Sequence, residues 1–321
     1  MSDTSPKIAF LVAAHEEPLL LRRLVLSLAA PWARFFVHID RRVAARPFAE
    51  ALSGIAHVAF IQPRVSVHWG GWSQIEATLL LMRRALAQDE TLARFALLSG
   101  ACYPLRSNEA LRDFLLSGDS EYISATPMPD LEHDKPLTRL TRWHVEGGLR
   151  AKGAKAKTIR ILNDSLRILP ARNLRTGLDG LAPYAGGSWW VLTRSGVETV
   201  LDWTDRRPRL AAFLRHTHCP DECFFQTVLA NSALRERLAP SLTFTDWSDP
   251  DEQPRQIRDG HLSQLLGRTG APFFARKFSS ENAHLLDRID AVRGIATALP
   301  GRRMSEPEPL MGFQPGYAAT P

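Results

Sequence analysis

Lys7-Ile8-Ala9-Phe10-Leu11-Val12-Ala13-Ala14-His15-Glu16-Glu17-Pro18, followed by the amphipathic run 19–29, reads as a short apolar strand, a polar turn and a helix. The same alternation recurs downstream. Its period predicts strands at 35–40, 58–62 and 95–99 and helices at 46–52, 72–88 and 108–116, the last opened by Ser107 as N-cap. Repeated strand–helix units imply a parallel sheet flanked by helices, with ligands at the carboxyl ends of the strands. The first strand-to-helix turn, Ala13 to Pro18, contains no glycine. It therefore lacks the close backbone approach that a dinucleotide pyrophosphate requires, and a mononucleotide held by side chains and strand ends fits better.

Working outward, residues 139–175 shift in composition: Arg150, Lys152, Lys155, Lys157, Arg160, Arg167, Arg172 and Arg175 stud a segment poor in large apolar residues at its start. Such a run reads as a solvated helix face, or as a surface for an anionic acceptor or lipid head groups. Residues 186–194 read as a strand, 195–203 as a helix, and 222–231 as another helix. From about residue 300 Pro, Gly and Glu dominate without periodicity, which predicts a disordered or surface-draped tail over 300–321. The expected organisation is an α/β fold with a Rossmann-like nucleotide-binding half, 1–120, fused to an acceptor-binding half of the same domain, 121–299.

With 321 residues and 45% hydrophobic content the chain can bury a substantial core, so disorder is not the default. Forty Lys and Arg against 34 Asp and Glu give a formal charge of +6, and the pI is about 9.5. That excess suits phosphorylated substrates, anionic lipid or other polyanions, and equally a merely basic enzyme. Cys102, Cys219 and Cys223 form neither a disulfide framework nor a tetrahedral zinc set, so a reducing cytoplasm is the expected home. The start MSDTSPK has no apolar h-region, and no stretch of about 18 apolar residues follows. The expectation is a cytoplasmic protein, at most peripheral at the inner face of a membrane.

Four blocks in order carry a resemblance: Phe36-Val37-His38-Ile39-Asp40, Val67-His68-Trp69-Gly70-Gly71-Trp72-Ser73, Leu97-Leu98-Ser99-Gly100-Ala101-Cys102-Tyr103-Pro104-Leu105 and Gly187-Ser188-Trp189-Trp190-Val191-Leu192-Thr193. Pro220-Asp221-Glu222 and Phe274-Ala275-Arg276-Lys277-Phe278 complete the set. Together they resemble the core-2/I-branching β-1,6-N-acetylglucosaminyltransferase family, which includes peptide O-xylosyltransferases, across roughly residues 7–290. The resemblance implies a GT-A-type fold, an inverting mechanism and a UDP-sugar donor handled without a divalent metal. Where a GT-A metal motif would follow the fourth strand, this chain has Ser99-Gly100-Ala101-Cys102, with no carboxylate. Its Asp-x-Asp, Asp249-Pro250-Asp251, lies in a polar turn-like stretch away from that strand.

By the same resemblance Glu222 is the catalytic base, taking the proton of the acceptor hydroxyl as its oxygen attacks the anomeric carbon. A helix-capping role is the structural alternative for a Pro-Asp-Glu ahead of an apolar run. Arg255 and Lys277 resemble the family's cations on the departing diphosphate, with Arg258 and Arg276 as neighbouring decoys. Asp40, Ala13 and His15 would lie beside the uridine. Trp247 matches an aromatic that stacks on an acceptor sugar, and Lys135, Arg139 and Arg142 are candidates for the acceptor cleft. No cofactor and no metal are expected; the partners are a UDP-sugar and a glycan or protein acceptor, with no nucleic acid. The alternatives are a nucleotide-sugar hydrolase and a non-catalytic basic module binding glycan or nucleic acid, although no tandem aromatic platform or recognition helix is apparent.

Overall fold

The computed structural model describes residues 4–248, 254–267 and 272–295. Asp249-Pro250-Asp251 and the expected tail lie outside these residues. The first seven elements follow the order read from the sequence: β1 (Lys7–Ala14), α1 (Pro18–Leu28), β2 (Ala33–Ile39), α2 (Arg46–Ala51), β3 (Val58–Phe60), α3 (Trp72–Gln88) and β4 (Leu92–Ser99). Then come β5 (Tyr103–Pro104), α4 (Asn108–Ser117), β6 (Glu121–Tyr122), β7 (Thr126–Pro127), α5 (Thr138–Thr141), α6 (Ala154–Ser165), α7 (Leu174–Gly177), β8 (Tyr184–Ala185) and β9 (Val191–Thr193). The remainder comprises α8 (Arg194–Arg206), α9 (Pro208–Leu214), α10 (Phe224–Ala230), β10 (Leu238–Ala239), β11 (Thr243–Thr245), α11 (Asp259–Leu266), β12 (Phe274–Arg276) and α12 (Ala283–Val292).

The main sheet runs β10-β6-β9-β4-β1-β2-β3. Its β4-β1-β2-β3 part is parallel, whereas β9 is antiparallel to both β4 and β6. The sheet is buried on both faces, which is why β1 is an unbroken apolar run rather than an alternating one. Ile8, Phe10 and Val12 pack into one core with Leu24 of α1, Phe48 of α2 and Leu285 of α12. Ala9 and Leu11, on the other face, join Ile75 of α3, Val197 of α8 and Phe224 of α10. This α/β architecture is the one expected. Residues from both expected halves share the sheet and both cores.

Helix α12 is stitched to α1 and to Tyr103. Asp290 of α12 accepts from the Tyr103 hydroxyl (2.8 Å) and from Arg23 of α1 (2.8 Å), and Arg293 donates to the Ser27 carbonyl (2.9 Å). A small second sheet, β11-β12-β5, carries the segment after β4 alongside the Phe274–Arg276 strand.

Three expectations need correction. The strand expected over 186–194 is confined to β9, because the Gly186 amide is spent on the Glu222 carbonyl (2.9 Å) instead of a strand partner. The helix expected from residue 222 begins at Phe224; Pro220–Glu222 forms a separate 3-10 turn entered through Cys219 in the left-handed region (φ 49). Finally, Arg172 does not belong to a solvated basic face. It is buried, donates to the carbonyls of Leu140 (3.2 Å) and His216 (2.7 Å), and lies 3.6 Å from the Phe213 ring centre. Burial lowers its pKa to about 10. Among the described residues no helix is long and apolar enough to cross a membrane.

Candidate active site

The carboxyl ends of β1, β2 and β4 meet where the parallel order reverses, the place where open α/β sheets leave a crevice. Ala13 sits in register between His38 and Ser99. The Gly100 amide donates to the Ala13 carbonyl (3.1 Å), and a Cβ on Gly100 would lie 3.1 Å from that of Ala14, so the two loops are in close contact. In the turn after β1, His15 is exposed and faces Glu16 (3.8 Å). Glu16 in turn reaches Lys277 (3.6 Å), and Glu17 accepts from the Ser280 amide (2.6 Å).

Asp40 is buried, and its carboxylate is already engaged. It accepts from the Arg42 amide (2.9 Å), the Arg42 guanidinium (2.7 Å) and the Val67 amide (3.3 Å). Burial pushes its pKa up, but these hydrogen bonds outweigh burial and hold it below the ordinary carboxylate range. His38 Nε2 accepts from the Val65 amide (2.9 Å), and burial lowers the ring's pKa. The His38 and Asp40 pair thus fixes the loop 65–67 at the end of β2.

Arg255 and Lys277 lie 22 residues apart in sequence and side by side in the fold. The Lys277 amide donates to the Arg255 carbonyl (3.4 Å), and the Ile257 amide returns a bond to the Lys277 carbonyl (2.9 Å). The Arg255 amide donates to the Asp246 carbonyl (2.8 Å), and its guanidinium reaches the Ser248 hydroxyl (3.2 Å). Trp247, between Asp246 and Ser248, is 51% exposed. Asp246 has its pKa lowered to about 2 by the Ser248 amide and hydroxyl and by His261.

Glu222 occupies the 3-10 turn, with its side chain 14% exposed. Its Oε2 accepts from Lys135 Nζ and from Arg139 (2.6 Å). Arg142, by contrast, is exposed. Next to Glu222, Asp221 accepts from Gln74 (2.9 Å) and Ser188 (2.7 Å) through Oδ2, while its Oδ1 is buried with no partner. Burial, then the Glu222 charge, raise the Asp221 pKa to about 6. Burial likewise raises that of Cys223 to about 12, so this cysteine is an inert apolar filler.

The turn is held from both sides. The Cys219 amide donates to the Gly70 carbonyl (3.0 Å), and Gly186 holds the Glu222 carbonyl from the other side. Gly70 itself is at φ 66 and donates to Gln74 (2.9 Å). Glu146 caps α3 through the Ser73 amide and hydroxyl (both 3.0 Å), and a Cβ on Gly71 would fall 2.1 Å from its Oε2. The Arg276 guanidinium, next to Lys277 in the chain, lies 4.5 Å from the Trp189 ring centre. Phe278 donates to the Ala101 carbonyl (3.0 Å). A path of contacts and chain neighbours therefore runs from Lys277 through Arg276, Trp189 and Ser188 to Asp221 and Glu222, with Gly70 and Ala101 of two further blocks bonded beside it.

This gathering of the blocks has a counterpart among known proteins. The model of the Core-2/I-Branching enzyme family matches residues 8–266. The chain belongs to this family. Human xylosyltransferase 2 is 27% identical over 308 residues, covering 88% of this chain and 33% of the relative. Human xylosyltransferase 1 is 26% identical over 310 residues, covering 88% and 30%. The chain spans about a third of the length of these relatives. Among solved structures, a 4-diphosphocytidyl-2C-methyl-D-erythritol synthase aligns at a TM-score of 0.35 and 12% identity, covering 82% of this chain and 98% of that one.

In this Core-2/I-Branching chain the structure brings Glu222, Lys135 and Arg139 into one cluster and Arg255, Lys277 and Trp247 into another. Ala13 and His15 sit at the sheet switch. Asp40 faces its own loop. Among the described residues no group of three or more His, Cys, Asp or Glu is placed to hold a metal. Two open concavities of about 470 and 660 Å³ lie at the opposite ends of the strands, around Arg94 and around Trp32 respectively, away from these residues. Sequence reading passed over Glu146, Gln74 and Ser188, whose partners are far along the chain, and set aside Arg276 as a decoy.

Proposed function

We propose that this chain is an inverting, metal-independent glycosyltransferase that moves N-acetylglucosamine or xylose from a UDP-sugar to a hydroxyl of a glycan or protein, forming a β linkage. Glu222 is the general base. Lys135 and Arg139 hold its carboxylate in place by hydrogen bonds and approach the acceptor, and Trp247 stacks on the acceptor sugar. Arg255 and Lys277 meet the negative charge that develops on UDP, a role that divalent cations fill elsewhere. Ala13 and His15 border the uridine, and Asp40 acts by holding the loop 65–67. Residues 1–120 serve the nucleotide, and 121–299 supply the diphosphate cations, the acceptor side and the catalytic turn.

The single observation that carries this reading is the contact path joining Lys277 to Glu222 through Arg276, Trp189, Ser188 and Asp221. It ties the turn that carries Glu222 to the strand end that carries Lys277 through one ring contact and one hydrogen bond, which supports a shared site for the acceptor base and the diphosphate cations. The names of the relatives make UDP-xylose the first donor to try.

The test is a panel of UDP-sugars read by UDP release, with and without EDTA. Release from UDP-xylose or UDP-N-acetylglucosamine, unchanged by EDTA and raised by a glycan or peptide acceptor, supports the proposal. A requirement for manganese would remove the metal-free mechanism. Release that no acceptor accelerates would leave a nucleotide-sugar hydrolase.

A further inference from the structure

Helix α6 is the least buried long helix next to the candidate site. Of its residues only Ala156 is fully buried, with Ile159 and Asn163 partly so. These three dock it on the segment 145–148: Asn163 exchanges hydrogen bonds with the Val145 amide (2.8 Å) and carbonyl (3.0 Å), and Ile159 packs on Gly147 and Gly148. At about 3.6 residues per turn, Ile161 falls on the side opposite that docking face. Ile161 is 57% exposed, Leu162 43%, and, just past the helix, Ile168 is 87% and Leu169 44% exposed. Four large aliphatic side chains thus stand in solvent within nine residues, which a surface without a partner rarely shows.

Charge surrounds them. Residues 150–169 contain six Lys or Arg and one Asp. Arg160 is tied back to the Gly148 carbonyl (2.8 Å), and Arg167 pairs with Asp164 (3.2 Å). Lys152, Lys155 and Lys157 are exposed and make no ion pair among the described residues.

We infer that α6 and the turn after it, residues 152–169, form a membrane-surface dock: Ile161, Leu162, Ile168 and Leu169 enter the headgroup and acyl boundary of a bilayer while the lysines bind anionic phospholipid. The aliphatic side chains decide between polyanions. Nucleic acid and acidic glycan reward the lysines alone, whereas only a bilayer also removes apolar side chains from water. The dock adjoins the site without entering it. Segment 145–148 holds α6 on one side and, through Glu146, caps α3 on the other. An acceptor embedded in or tethered to the same membrane would meet the enzyme at that face.

The full chain, incubated with phosphatidylglycerol-containing vesicles and with phosphatidylcholine vesicles, tests this by co-sedimentation. Binding is expected to the anionic vesicles and to weaken with added salt. Ile161→Ser with Ile168→Ser leaves the net charge unchanged and should lower partitioning at least about tenfold. Lys155→Gln with Lys157→Gln should lower it about thirtyfold. All four side chains are exposed, so circular dichroism should match the parent. No binding of the parent chain at low ionic strength overturns the inference. Undiminished binding of the serine variant overturns it as well, reducing the surface to one for a soluble polyanion.

Discussion

The backbone amide of Lys277 donates to the carbonyl of Arg255 (3.4 Å), so two cations distant in sequence are fixed as neighbours by main chain rather than by their own flexible side chains. On the proposed reading, both cations would meet one anion without a rearrangement of the main chain.

Replacement of either cation should appear in nucleotide affinity. Lys277→Ala is expected to weaken UDP binding by about 1.5–3 kcal/mol, the scale of a charge-assisted hydrogen bond, with EDTA making no difference. Isothermal calorimetry on the folded variant measures it. An unaltered dissociation constant would take Lys277 out of the site.

Glu222→Gln should separate catalysis from capping. Glutamine keeps the shape but cannot accept the acceptor proton, so turnover should fall at least about a hundredfold with UDP affinity retained. A residue that only supported the turn would cost about 1 kcal/mol of stability and leave turnover in place. Near-normal turnover would direct attention to Asp221.

Asp221 and His144 should pull stability in opposite directions across mildly acidic pH. Burial, then the neighbouring Glu222, raise the Asp221 pKa to about 6, so its contribution is present below the unfolded value and is lost as pH rises through about 6. Burial, followed by His218 and His216, lowers that of His144 to about 4, so its contribution is present above the unfolded value and is lost as pH falls through about 4. Asp221→Asn removes the first, and its urea midpoint should climb more steeply than the parent's between pH 4 and pH 6. Parallel pH profiles would show that Asp221 is not titrating in the fold.

Gly71→Ala should disturb the Pro220–Glu222 turn from a distance. The new methyl group would lie 2.1 Å from Glu146 Oε2, so the carboxylate must leave the α3 N-terminus or the loop must shift. Overpacking of this kind costs about 1–3 kcal/mol. Chemical denaturation read alongside turnover checks it; a fully stable, fully active variant would mean that the contact relaxes freely.

Much of this was legible in the sequence where one local rule governs. β1, β2 and β4 are buried on both faces, so their apolar runs announce them, and Ser107 caps α4 as its position suggests (3.2 Å to the Ala110 amide). Pro220-Asp221-Glu222 misled because two acids ahead of an apolar run look like a helix start. The left-handed Cys219 and the bond from Gly186 that hold the turn apart from α10 leave no mark in the local pattern. Arg172 was misplaced for a similar reason, since its burial depends on carbonyls at Leu140 and His216 that only the fold delivers. Asp40 was legible as a strand-end carboxylate, but its engagement by Arg42 was not.

The placement of β9 between β4 and β6 has a practical corollary for anyone wishing to re-engineer the protein. A strand from the later half completes the sheet that the earlier half begins, and α12 is pinned to α1 through Asp290 and Arg23. Chimeras joined near residue 120 would pair different sequences across both seams at once. An exchange of segments between relatives is better attempted in surface loops of an intact chain, leaving the β-strands undisturbed.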